Sequence, residues 1–109
     1  MLLSTDVWVG ALIRRAELEG ANAVVVKKGD ARAGAVIVKA YDTTNRTARL
    51  WTEATGQDGE PLWIQPVASE FESELDAYLD RQRRYDPDLW IIEIEDRQGR
   101  HFLTEKTQG

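Results

Sequence analysis

The alternation of apolar and polar positions divides the chain into blocks of helical and strand period. Between residues 6 and 19, Val9, Leu12, Ile13 and Ala16 recur at helical spacing, with Trp8 widening the stripe. Ser4 or Thr5 is placed to cap this helix, and Gly20 to end it in a left-handed conformation. The period then drops to two. Residues 23–28 and 35–41 are β-branched runs, and the short loop bounded by Gly29 and Gly34 predicts that they pair as an antiparallel hairpin. Residues 47–53 predict a third strand and residues 62–67 a fourth, which Pro66 confines to an edge or ends early.

Helical spacing returns with Phe71, Leu75, Tyr78 and Leu79. Ser69 and Glu72 have the spacing of a capping box, and Arg81, Arg83 and Arg84 suit the negative end of the helix dipole. Pro87 stops the helix. Beyond it Trp90, Ile92 and Ile94 point to one side of a strand, and Ile91, Glu93 and Glu95 to the other. Gly99 supplies a turn, residues 100–103 a short returning strand, and residues 105–109 a loose tail. The expected fold is therefore α+β in the order αββββαβ(β). It has a mostly antiparallel sheet of five or six strands with two helices packed on one face, in a single domain.

Composition narrows the chemistry. The 109 residues are enough for one core, and the absence of cysteine removes disulfides, thiolate nucleophiles and thiolate metal sites. A cysteine-free chain whose start lacks a basic, apolar leader, and which holds no long apolar run, is expected in the cytoplasm and not in a membrane. The net charge of −5 is split, +3 over residues 1–52 and −8 over residues 53–109. The acidic half disfavours nucleic acid as a partner.

Three sets of residues are candidates for function. The loop between Gly29 and Gly34 leads into a strand without the Lys-Ser/Thr of a phosphate loop, which excludes a mononucleotide site. Its backbone amides with Arg14, Arg15, Arg32 and Lys39 remain a candidate anion site. Asp86, Asp88, Glu93 and Glu95 could form a magnesium site or an acid–base pair, although each also suits a turn or a wetted strand face. Trp51 and Ile91 fall opposite their apolar neighbours, and an exposed sheet face bearing both would be a protein-contact patch. His101, the only histidine, reads as an ordinary surface or half-buried side chain.

A resemblance spans nearly the whole chain. Trp8, Ala11, Ile13, Arg14, Arg15, Glu17, Gly20, Ala21, Gly29, Asp30, Ala33, Gly34, Val38 and Lys39 carry its first half. The run from Tyr85 through Asp86, Pro87, Asp88 and Leu89 to Trp90 carries the second, with Glu93, Glu95, Asp96, Arg97, Gly99, Arg100, Phe102 and Leu103. In these residues the sequence resembles the small bacterial family catalogued as domain of unknown function 1491. The resemblance implies a small stand-alone bacterial protein and brings no catalytic, metal or cofactor residue with it. The leading expectation is a non-catalytic interaction or regulatory module with a protein partner or a second copy of itself. A small-ligand or anion binder and a carboxylate-dependent enzyme are the alternatives.

Overall fold

The structure, a computed structural model, describes residues 3–108. In chain order its elements are α1 (Thr5–Leu18), β1 (Asn22–Lys27), β2 (Val36–Asp42), β3 (Thr47–Thr55), β4 (Pro61–Ile64), α2 (Glu72–Tyr85), β5 (Trp90–Asp96) and β6 (Thr107–Gln108). The fold is α+β, with one six-stranded mixed sheet in the order β1-β5-β2-β3-β4-β6.

β1 and β2 do not form the expected hairpin. β5 inserts between them, antiparallel to β1 and parallel to β2. The side chains explain the insertion. Ile91 is buried on one face while Trp90, Ile92 and Ile94 are buried on the other, so β5 requires cover on both sides and takes the second place from the edge. β1, whose valines tolerate partial exposure, takes the edge itself. Gly29 and Gly34 permit the insertion: a Cβ on either would collide with the Asp88 carbonyl and the Trp90 indole.

The two helices lie on opposite faces, not on one. α1 contributes Trp8, Val9, Leu12 and Ala16 to a core with Val38, Ala40, Trp51, Trp63, Ile92 and Ile94. α2 contributes Leu75 and Leu79 to a separate core with Ile37, Ala48, Leu50, Leu89 and Ile91. The strand alternation at Ile91 and Leu50 records this division, because Ile91 turns away from Trp90 and Ile92, and Leu50 from Trp51, toward the second helix.

Loop carbonyls and the Asp6 carboxylate, which accepts from Val7 N at 2.8 Å, close the start of α1 in place of the expected Ser4 or Thr5 side-chain cap. Thr5 N donates to the Arg32 carbonyl at 3.1 Å and Asp6 N to that of Ala31 at 2.9 Å. Gly20, at φ 87°, ends the helix left-handed as expected. The capping box of α2 is not formed. Ser69 Oγ accepts from Phe71 N at 3.1 Å, one turn before the helix begins at Glu72. β4 stops at Ile64, before Pro66. The returning strand is not residues 100–103, since Phe102 sits at φ 59° and breaks the extended run. The last strand is β6, parallel to β4. Thr107 and Gln108 are thus paired within the segment expected to be loose, and Gly109 lies outside the described residues.

Candidate functional site

The four basic residues of the anion reading do not converge. Arg14 and Arg32 are exposed, whereas Arg15 donates from Nε and Nη2 to the Phe102 carbonyl at 3.2 and 3.0 Å. Lys39 lies on the other face, under α2 and only 5% exposed. Its Nζ is 2.6 Å from Glu72 Oε2, 3.0 Å from Asp76 Oδ1 and 3.3 Å from Glu93 Oε1. Burial alone would lower its pKa, but the bonds to Glu72 and Asp76 and the charge of Glu93 outweigh it and hold the pKa above the usual lysine value. The loop amides are also engaged. Asp30 Oδ2 accepts from Arg32 N and Ala33 N at 3.1 and 2.9 Å, so the chain fills this concavity with its own carboxylate.

The acidic set is likewise dispersed into structural roles. Asp86 Oδ1 accepts from Asp88 N at 3.0 Å and closes the turn around Pro87. Glu93 faces Lys39, and Glu95 is exposed beyond it. Among the described residues no group of three or more His, Asp and Glu side chains is arranged to hold a metal ion. Trp51 and Ile91 are 5% and 1% exposed and lie in different cores, so the expected patch does not exist. Each faces a side that its helix covers.

Exposed apolar surface is found instead at β1. Val24, Val25 and Val26 are 43%, 43% and 46% exposed, and among the described residues no strand pairs with the outer edge of β1. The opposite edge of the sheet, β6, is only two residues long. A run of three valines carried this signal in the sequence, but its reading as one arm of a hairpin leaves open which strand lies at the edge of the sheet.

The second surface feature is a cleft of about 530 Å³ at the end of the sheet where β2 turns into β3. Trp51 and His101 line it together with Asp42, Arg49, Glu70 and Gln98. A larger hollow of about 690 Å³ lies elsewhere, beside the β3–β4 turn, and is walled mainly by that exposed turn. Two turns form the walls of the first cleft and are joined across its back. Thr43 N donates to the Asp96 carbonyl at 3.1 Å, and Thr44 Oγ1 to the Arg97 carbonyl at 2.9 Å. Asp42 binds its own turn, accepting Thr44 N and Asn45 N at 2.9 Å each and Asn45 Nδ2 at 3.0 Å.

Asp96 organises the other wall. Its carboxylate accepts from Gln98 N, Arg100 N, Arg100 Nε and Arg100 Nη2 at 2.9 to 3.1 Å. The Arg100 guanidinium, chiefly, holds the Asp96 carboxyl down at about 2, and the two backbone bonds act the same way against the cost of burial.

The only two non-glycine residues with positive φ among those described, Arg46 at 58° and Phe102 at 59°, directly follow Asn45 and His101 of the cleft lining. Such a conformation costs on the order of 1 kcal/mol or more and persists only where neighbours enforce it. For Phe102 they do. Arg15 grips its carbonyl, and the Arg100 guanidinium lies 4.8 Å from its ring centroid. The result is to present His101. Its ring meets Trp51 edge-on at 4.8 Å, and Nδ1 accepts from Leu103 N at 2.9 Å. Burial pushes the His101 pKa down, and the Leu103 amide also requires an unprotonated Nδ1. The neutral ring therefore carries its proton on Nε2, for which no partner exists among the described residues.

Comparisons with known proteins accord with this fold. No curated protein matches the chain. A crystal structure of a DUF1491 family protein from Caulobacter crescentus CB15 superposes with a TM-score of 0.95 at 66% identity, covering 98% of this chain and 100% of that one. An NMR structure of a DUF1491 family protein from the same organism gives 0.92 at 66% identity, with 100% and 99% covered. The solution structure of protein Atu0922 from A. tumefaciens gives 0.81 at 32% identity, with 100% and 98% covered. The sequence profile described as "Protein of unknown function (DUF1491)" matches residues 3–104, and the chain belongs to that family.

Proposed function

We propose that the protein is a non-catalytic interaction module whose binding element is the free edge of β1, with a second copy of the chain as the partner. The observation that carries this reading is the unpaired edge bearing three valines, each more than 40% exposed. A free strand edge offers unpaired backbone groups to another strand, and exposed β-branched side chains add apolar contact on both sides of the new ladder. The strand also complements itself in charge. A two-fold axis pairing β1 antiparallel with its copy sets the exposed Lys28 of each chain beside the end that follows Glu17 and Glu19 of the other, whereas Lys27 Nζ is held within its own chain by the Pro87 and Leu89 carbonyls. A cytoplasmic setting accords with the cysteine-free sequence.

Sedimentation velocity over a concentration series, on the full chain and on Val24→Lys, tests this. The expected result is a mass near twice 12.4 kDa that falls to the monomer in the variant, with slow amide exchange along β1 only in the wild type. A wild-type monomer at every concentration, with β1 amides exchanging as an open edge, would overturn it. Far-UV circular dichroism confirms that Val24→Lys is folded.

A further inference from the structure

We infer that the cleft between the β2–β3 turn and the connection after β5 is a binding site for a small zwitterion of the free amino-acid class. This inference does not depend on the role of the β1 edge. Three observations support a site. The cleft volume of about 530 Å³ falls within the roughly 300–1,000 Å³ of small-molecule sites. Its walls are fixed in advance by Asp42, Asp96 and the cross-links from Thr43 and Thr44, so little ordering is left for a ligand to induce. A backbone conformation unfavourable for phenylalanine is also maintained there, and its consequence is the placement of His101.

The side chains define the ligand class. His101 Nε2–H is a neutral donor without a partner among the described residues, and Arg49 supplies a cation on the same cleft. Together they suit a carboxylate. The opposite requirement is also present, since Glu70 and Asp42 contribute two negative charges. A lone anion would meet these acids unfavourably, and a lone cation would meet Arg49. A molecule with an ammonium beside a carboxylate satisfies both. Arg49 is available for this exchange because its contact with Glu70, 3.4 Å long with both side chains about half exposed, is a weak surface pair. Since Nδ1 is committed to Leu103, His101 serves as a hydrogen-bond donor and not as a general base.

The test is an NMR titration of the uniformly ¹⁵N-labelled full chain with each free amino acid, with acetate and methylammonium as singly charged controls. At least one amino acid is expected to shift the Asn45, Gln98, Gly99 and His101 signals saturably, with a Kd of about 1 mM or tighter, and neither control should do so. Arg49→Gln, at an exposed position, should fold normally and weaken binding about tenfold or more, as should His101→Phe. A long-range ¹⁵N spectrum should show His101 protonated at Nε2. No saturable shift in the cleft would overturn the inference, as would binding unaffected by Arg49→Gln or equally good binding of acetate. A His101 protonated at Nδ1 would remove its chemical basis.

Discussion

The two faces of the sheet are sealed in different ways. On the α1 face all four tryptophans are buried in one core, with Trp8 and Trp63 stacked at 5.3 Å between ring centroids. Aromatic side chains of this size each remove about 150–250 Å² from water, so that face holds chiefly by area. On the α2 face the helix buries only Leu75 and Leu79, while Phe71 and Tyr85 at its ends are largely exposed. What the second face lacks in apolar area it replaces with one buried ammonium, because Lys39 reaches from β2 to two carboxylates of α2. A core built on area resists loss of any single polar contact. A helix tied down by a charge cluster depends on pH and opens more easily.

The largest expected effect is therefore on the α1 face. Trp63→Ala should destabilise by about 3–5 kcal/mol in urea unfolding, since a fully buried indole is removed and its stacking partner is left against a cavity. Lys39→Met comes next, at about 2–3 kcal/mol, because the three carboxylates it leaves behind are partly exposed and can be rehydrated. The lysine pKa is raised in the folded state. Its contribution is thus fully present below the unfolded value of 10.5 and is lost as pH rises through the higher folded value. Native-state hydrogen exchange should show α2 opening before α1, and Lys39→Met should widen that gap. Equal protection of the two helices would show that the ion cluster is no weaker than the aromatic core.

Smaller effects belong to the cleft, at the boundary between the faces, and they separate by pH. The His101 pKa is lowered on folding, so its contribution is present above the unfolded value of 6.5 and is lost as pH falls through the lower folded value. Asp96 acts in a second window. Its contribution is present above the unfolded value of 3.8 and is lost as pH falls toward about 2. Asp96→Asn should cost about 1.5 kcal/mol at neutral pH, the loss of charge-assisted bonds to Arg100, and should remove the lower window while leaving the upper one. Stability curves from pH 2 to 8 for wild type, Asp96→Asn and His101→Phe check this.

Much of the fold was legible because periodicity reports which residues are buried. The helices, the strand after Pro87 and the left-handed glycines at 20 and 99 all follow from local pattern. Partnership is not local. The sequence neighbours β1 and β2 suggested a hairpin, and only the two-sided burial of Ile91 and Ile92 shows that β5 must separate them. For the same reason alternation alone suggests an open face for Trp51 and Ile91: each does lie opposite its neighbours, but a second helix covers one of those faces. Lys39 read as a surface cation because its three partners are 33 to 54 positions away. The cleft was hardest to see, since it depends on a positive φ at Phe102 that no phenylalanine announces.

The smallest expected difference tests how complete the aromatic seal is. Trp8 and Trp63 stack as near equals, yet their indole N–H groups differ. Trp8 Nε1 donates to Glu105 Oε2 at 3.1 Å, whereas Trp63 Nε1 is buried with no hydrogen-bond partner among the described residues. Trp63→Phe removes an orphaned donor along with part of a ring, two effects of opposite sign that should leave stability within about 1 kcal/mol of wild type. Trp8→Phe loses the same ring area and also withdraws a donor from a carboxylate whose other oxygen, Oε1, is already buried without a partner among the described residues. It should cost about 1 kcal/mol more than Trp63→Phe. Equal costs would mean that the bond to Glu105 adds nothing and that the α1 face is held chiefly by apolar area. A smaller cost for Trp63→Phe would show that the bond from Trp8 to Glu105 adds a polar tie between α1 and the segment that leads into β6, beside the one Arg15 makes to the Phe102 carbonyl.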